Sequence, residues 1–247
     1  MAESNTDSLL CLRAPQPYLG ELADNWPELR ARVLELTGIT IPEAWLESLE
    51  GHYEILWKGV RQVRQPWLHH WLEPIALSLA GSAHRMLTLE ETRLAIEKAK
   101  KESPALKAAL EEAELPLITL YEISRGLLRE RISIADTEGI LTTVASNARF
   151  TREVGSLIEL VRTSMAPWIS QRFEHGPGRL EVMVLAEEVS QALAAGARLV
   201  HEGMFLEIEP ALGRKTLEAI RQCFRRFGND ALTSICLLVE PHLRPIL

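Results

Sequence analysis

The chain has 247 residues, enough for one large domain or a few small ones, and 47% apolar against 25% charged residues implies a folded chain with a sizeable core. Its 27 lysines and arginines against 34 acids leave a net charge of −7, which argues against non-specific nucleic-acid binding, a role that needs a basic surface. Cys11, Cys223 and Cys236 have no metal-ligand spacing and read as reduced thiols of a cytosolic chain; no run of about 18 apolar residues suggests a membrane span, and the polar start MAESNTDS is not a signal peptide.

Residues 1–8 are expected to be disordered. Leu9-Leu10-Cys11-Leu12 reads as a strand ended by Pro15 and Pro17. Trp26 to Thr37 reads as a helix, with Pro27 in its first turn, Leu29, Val33 and Leu36 inward, and Gly38 as its stop. Ile39-Thr40-Ile41 begins a second strand, stopped by Pro42. Tyr53 to Val60 is a third, with Tyr53, Ile55 and Trp57 alternating with Glu54 and Lys58. Pro66 to Met86 is apolar and reads as one or two helices with a break near Pro74.

A helical stretch follows. Thr88-Leu89-Glu90-Glu91 has the form of a capping box and opens a helix to about Lys101. Ser103-Pro104 opens the next, which ends near Glu114. From Leu117 to Arg129 the apolar residues Leu117, Leu120, Tyr121, Leu127 and Leu128 share one helical face, and Arg129 and Arg131 suit the end of the helix dipole. Ser133 is the expected cap of the following helix, with Asp136 at its third position and Ile134, Ile140, Leu141 and Val144 buried. Gly139 weakens that helix by about 1 kcal/mol relative to Ala. Arg152 to Phe173 carries Val154, Leu157, Ile158, Val161, Met165, Trp168 and Ile169 on one side, with Pro167 as a kink or break.

After the linker His175-Gly176-Pro177-Gly178 the pattern changes to a strand at Leu180–Leu185, a helix from Glu187 to Ala195 ended by Gly196, and a strand at Phe205–Ile208. A helix from Arg214 to Phe227 follows, with Leu217, Ile220, Phe224 and Phe227 inward and Gly228 as its stop, then a strand at Thr233–Val239. The expected fold is therefore α+β in several subdomains. An N-terminal α+β part covers 1–87, an all-helical middle part 88–175 and a small α/β part 176–247.

Motifs for chemistry are weak. Gly213-Arg214-Lys215-Thr216 looks like the tail of a phosphate loop but lacks the adjacent Gly-Lys and the earlier glycine. His201-Glu202 has no second histidine at zincin spacing, and adjacent His69-His70 point to different sides of a helix. With Trp67 and Trp71 these histidines are expected to line a packed or interfacial surface. The pairs Glu90-Glu91, Glu111-Glu112 and Glu187-Glu188 read as solvated faces. No catalytic residue, metal ligand or cofactor site is assigned, and an enzyme or small-molecule binder on the α/β part stands as an alternative.

The run Leu127-Leu128-Arg129-Glu130-Arg131-Ile132-Ser133-Ile134-Ala135-Asp136, followed by Ile140-Leu141, resembles a "LLREGVSIRD..TILEALA" stretch in the cytoplasmic domain of the type III secretion and flagellar export-gate proteins, the FHIPEP family. Ala135 stands where that family usually has Arg, and Gly139 where it has Thr. Further resemblances run in the same order along the chain: Gly38-Ile39-Thr40-Ile41-Pro42 to "GI.IP", Tyr53 to Val60 to "YRILLKGVEV", Glu159-Leu160-Val161-Arg162 to "L.EYVR", and Val239 to Pro245 to "(S)P.LRP". The family carries a second small subdomain after the "GVEV" strand, and that segment is nearly absent here.

The resemblance implies a non-enzymatic component of a protein-export apparatus, cytoplasmic or at the cytoplasmic face of the inner membrane. It implies self-assembly into a ring, ninefold in the family, and docking of secretion chaperones, exported substrates and other export-apparatus proteins. It implies no nucleic acid, and membrane contact only through a membrane-embedded part outside this chain. Leu127, Leu128, Arg129, Glu130, Arg131, Ile134 and Asp136 are then expected near a subunit interface, with Trp67 and Trp71 as further interaction candidates. A piece of a longer export gate and a freestanding paralogue acting as adaptor or regulator of secretion are both open, the initiating Met, polar start and lost insertion favouring the second.

Overall fold

The computed structural model of the chain describes residues 9–174, 178–200, 203–226, 236–241 and 243–244. The chain divides into two compact units, Met1–Ile158 and Glu159–Leu247. The fold is α+β, with a sheet and helices in the N-terminal part, a helical middle and a small α/β part at the C-terminal end.

The first unit opens with β1 (Leu10–Ala14), a short 3-10 turn at Gln16–Tyr18, α1 (Leu19–Asp24), α2 (Trp26–Thr37), β2 (Ala44–Ser48), β3 (His52–Trp57) and β4 (Val60–Pro66). The strand order is β2-β1-β3-β4. β1 runs parallel to β2 and antiparallel to β3, and α1 and α2 supply the crossover that parallel neighbours require. α2 has the expected bounds. Pro27 lies in its first turn, and Gly38 closes it in the left-handed conformation, its N–H donating to the Leu34 carbonyl at 2.7 Å.

Two strand expectations shift. The second strand forms at Ala44–Ser48 and not at Ile39–Ile41, where both isoleucines are buried but no ladder runs; Pro42, with no N–H to give, separates the two segments. The third strand ends at Trp57. Lys58 and Gly59 both take positive φ, 49° and 75°, and form a two-residue hairpin turn, so Val60 belongs to β4. β4 itself was not foreseen: it is a mostly exposed edge strand without a buried face to pattern it.

The helices follow as α3 (Leu72–Met86), α4 (Leu89–Glu102), α5 (Pro104–Ala113), α6 (Leu117–Arg129) and α7 (Thr137–Asn147). The break expected near Pro74 is absent, because Pro74 falls in the first turn of α3, where its missing N–H has no partner to lose. Both arms of the Thr88–Glu91 capping box are present. The cap of α7 is Asp136, whose carboxylate accepts from Gly139 N–H at 2.9 Å; Ser133, the expected cap, is buried and accepts from Ala135 N–H instead. The core joins Leu10, Leu12, Ile55 and Trp57 of the sheet to Leu29 and Val33 of α2, Ile75 and Leu79 of α3, and Leu128 of α6.

The helical stretch from Arg152 to Phe173, with a kink or break expected at Pro167, forms two helices, α8 (Val154–Ser164) and α9 (Ala166–Gln171). They part at Met165, just ahead of Pro167. The rest of the second unit holds β5 (Val182–Val184), α10 (Glu187–Gly196), β6 (Ala197–Val200), β7 (Gly203–Leu206), α11 (Pro210–Arg226) and β8 (Cys236–Leu238). β5 pairs parallel with β8, and β6 pairs antiparallel with β7. β6 was not expected, and β7 lies two residues earlier than the strand read at Phe205–Ile208. Leu217, expected inward on α11, is 47% exposed, while Thr216 beside it is buried. Residues 1–8, three of the linker residues (His175, Gly176 and Pro177), His201-Glu202, Phe227, Gly228, Thr233 to Ile235 and the Phe224 side chain, on which further expectations fell, lie outside the described residues.

Candidate interaction surface

The α6–α7 connection is built from hydrogen bonds that fold the chain back on itself. Arg131 N–H donates to the Leu128 carbonyl and Ile132 N–H to the Leu127 carbonyl, each at 2.9 Å, closing α6 with Arg131 in the left-handed region at φ 59°. Ile134 N–H then donates to the Thr37 carbonyl at 2.9 Å, and an added Cβ on Gly38 would stand 2.3 Å from the Ala135 nitrogen. The motif segment is thus fastened to the end of α2.

The nominated residues divide by depth. Leu127 and Leu128 are fully buried; Arg129, Arg131 and Asp136 are exposed; Glu130 and Ile134 are half-buried. The charged residues form the outer surface of a turn whose leucines anchor it. Ile134 also lines an apolar groove of about 230 Å³ with Ile39, Leu87, Leu94, Ile140 and Leu141. The two tryptophans belong to another corner. Trp71 is 4% exposed and its indole N–H donates to Glu21 at 3.0 Å. Trp67 is half-buried between Trp71 and Tyr18, at ring distances of 6.2 and 4.8 Å.

The sheet carries a charged feature that alternation hid. Glu47, Arg13, Glu54 and Arg64 stand in register across β2, β1, β3 and β4. Glu54 is buried, yet Arg13, Arg61 and Arg64 approach its carboxylate at 3.4, 3.3 and 3.6 Å. Burial alone would raise its pKa; the hydrogen bonds from Arg61 and Arg13 and the charge of Arg64 outweigh that and hold it below the ordinary carboxylate value.

Gly213 to Thr216 lie in the first turns of α11 and not in a loop, so they do not have the geometry of a phosphate cradle. Among the described residues no group of three or more His, Cys, Asp or Glu could hold a metal ion, and no helix is long and apolar enough to cross a membrane. The three cysteines are free, and burial pushes the thiol pKa of Cys11 and Cys236 up.

Comparison with known proteins gives this scaffold its relatives. The low calcium response locus protein D of Yersinia pestis is 25% identical over 212 residues, 82% of this chain and 30% of that protein. The flagellar biosynthesis protein FlhA of Yersinia enterocolitica is 28% identical over 184 residues, 73% of this chain and 24% of that one. The chain therefore spans about 30% or less of the length of these curated relatives. In fold it is similar to the Shigella flexneri MxiA protein, with a TM-score of 0.79 at 17% identity over 96% of this chain and 87% of that one. Against the structure of the Chlamydia pneumoniae CdsV and CdsO protein complex the TM-score is 0.74 at 20% identity, covering 98% and 95%. Against nonameric EPEC SctV-C it is 0.73 at 16% identity, covering 98% and 96%. Residues 21–247, which include β2 to β4, the fastened α6–α7 turn and the α/β part, match the FHIPEP family, and the chain belongs to that family.

Proposed function

We propose that this chain serves in a bacterial type III protein-export apparatus as an export-gate cytoplasmic-domain component, without enzymatic activity. It works in the cytoplasm or at the cytoplasmic face of the inner membrane. It assembles with copies of itself into a ring, docks chaperones and exported substrates, and meets other export-apparatus proteins. The observation that carries this reading is the family match over residues 21–247, supported by the likeness in fold to a nonameric SctV-C and to a chain solved with CdsO. In this reading the chain works in three parts, 1–87, 88–175 and 176–247, and the exposed Arg129 and Arg131, with Glu130 and Asp136, lie at the ring contact.

Sedimentation velocity with electron microscopy of the purified chain tests the ring. The wild type forms a closed oligomer at high concentration, and R129E/R131E shifts it to monomer. An oligomer untouched by the charge reversal removes these residues from the interface.

A second reading is a freestanding adaptor or regulator of secretion. It rests on the short link between β4 and α3, Trp67 to Trp71, at the point where the resemblance read from the sequence implies an inserted subdomain. A gene that continues upstream into transmembrane helices decides for the first reading.

A further inference from the structure

Most arginines in the sheet and in α2 and α4 meet carboxylates. Arg13 meets Glu47 and Glu54, Arg30 meets Glu43, Arg32 meets Glu35 and Glu73, Arg61 and Arg64 meet Glu54, and Arg93 meets Glu90. Arg85, Arg125 and Arg129 differ. Among the described residues none of them meets a carboxylate, although the chain carries seven more acids than bases.

These three arginines converge where α3 and α6 end. Arg85 donates from Nε to His84 Nε2 at 3.4 Å and reaches Gln62 Oε1 with its other end. Arg125 donates from Nε to the His84 carbonyl at 3.2 Å. Arg129 follows one turn later on α6 and is exposed. A fourth guanidinium, that of Arg131, lies over Gly81, its Nε and terminal nitrogen each 3.7 Å from where a Cβ would stand. The left-handed position after a helix usually falls to glycine; here an arginine occupies it. Gln62, Ser78, Ser82, His84, Arg85 and Arg131 line a polar cavity of about 380 Å³ beside this cluster.

The guanidiniums of Arg85, Arg125 and Arg129, with no carboxylate against them among the described residues, repel one another, and carboxylates relieve that repulsion through charge-assisted, often bidentate, hydrogen bonds. Spacing argues for several carboxylates on one chain. Arg125 and Arg129 are four residues apart on a helix, about 6 Å between side-chain origins. Alternate side chains of an extended peptide stand about 6.6 Å apart. We propose that the Arg85–Arg125–Arg129 cluster is a docking site for an acidic, extended segment of a partner protein, its carboxylates seated on these guanidiniums. The site shares Arg129 with the ring contact assigned above, so the docking proposal is tested at Arg85 and Arg125, which have no part in that contact.

His84 supplies a reporter. Burial, and then the charges of Arg85, Arg125 and Arg129, hold its pKa below the ordinary histidine value; Arg131 shares its cavity. Carboxylates seated on the arginines cancel the charges that oppose its protonation, so its pKa rises on docking.

The test uses the full chain and a fluorescein-labelled octaglutamate peptide, read by anisotropy at low and physiological salt, with the His84 imidazole followed by NMR. The expected result is binding that weakens with salt, falls by about tenfold or more in R85E/R125E, falls less in R125Q, and is unchanged in K101E on the exposed face of α4. The His84 pKa moves up as the peptide saturates the chain. Equal binding by R85E/R125E and wild type, with both folded by circular dichroism, overturns the proposal. Displacement of the peptide by equimolar inorganic phosphate also overturns it, in favour of a small-anion site. Loss of self-association in R85E/R125E with peptide binding intact overturns it in favour of a contact between copies.

Discussion

Gly38 lies against Ala135 so closely that a Cβ on it would stand 2.3 Å from the Ala135 backbone nitrogen, and its own φ is 78°. Either fact alone disfavours a side chain; together they make glycine the residue that lets the α6–α7 turn reach the end of α2. Gly38→Ala is expected to cost about 3 kcal/mol, from left-handed strain and backbone displacement combined. Urea unfolding measures this, and a loss below about 1 kcal/mol shows that the turn can lift from α2 at little expense.

Arg131 presents the opposite case. At φ 59° it holds a conformation that glycine adopts freely, and an L-residue there carries about 1 kcal/mol of strain. Arg131→Gly is expected to raise stability by up to that amount while weakening whatever Arg131 binds. A raised denaturation midpoint with weakened self-association or peptide binding is the signature of a residue retained at a cost for its charge. A lowered midpoint means that its side chain stabilises the turn.

Glu54 contributes to the acid limb of stability. Its folded pKa lies below the unfolded value of about 4.3. Its stabilising contribution is therefore complete above the unfolded pKa and is lost as pH falls through the folded one. Glu54→Gln removes the charge around which Arg13, Arg61 and Arg64 gather and is expected to cost about 2 kcal/mol at neutral pH. Thermal melts across pH 2 to 7 check this: the variant has a flatter acid limb than the wild type, and parallel curves would take Glu54 out of the acid response.

The cap of α7 gives a paired comparison. Asp136→Ala removes the acceptor for Gly139 N–H and is expected to cost about 1 kcal/mol. Ser133→Ala leaves the helix end capped and loses one local bond to Ala135 N–H, for about half that. Chemical denaturation of the two variants side by side reads the difference, and the reverse order would restore Ser133 as the effective cap.

The helices with local end signals were legible residue by residue. Pro27 and Gly38 bound α2, and Thr88 with Glu91 opens α4, because caps and turns are written within four residues of the positions they act on. Where two capping residues compete, as Ser133 and Asp136 do, sequence does not decide; the choice fell to Asp136 because Ile132 and Ser133 are drawn into the interior by the anchorage of Ile134 to Thr37. β4 is invisible in the sequence because an edge strand rich in Arg and Gln has no apolar face, and the burial of Glu54 among Arg13, Arg61 and Arg64 is hidden there because those arginines come from β1 and β4. The meeting of Arg85 with Arg125 was out of reach for the same reason. The two are 40 positions apart, and only the packing of α3 on α6 brings them together.

The strand order has a mechanical consequence. β1, the first strand among the described residues, is interior to the sheet, with Leu10 opposite Ala44 on one side and Trp57 on the other. A pull applied at Leu9 along the strand loads both ladders in shear, where many hydrogen bonds must break at once. A pull on the exposed edge strand β4 would instead unzip one ladder bond by bond. Tension entering this chain from its N-terminal side is met by the most resistant direction of the sheet.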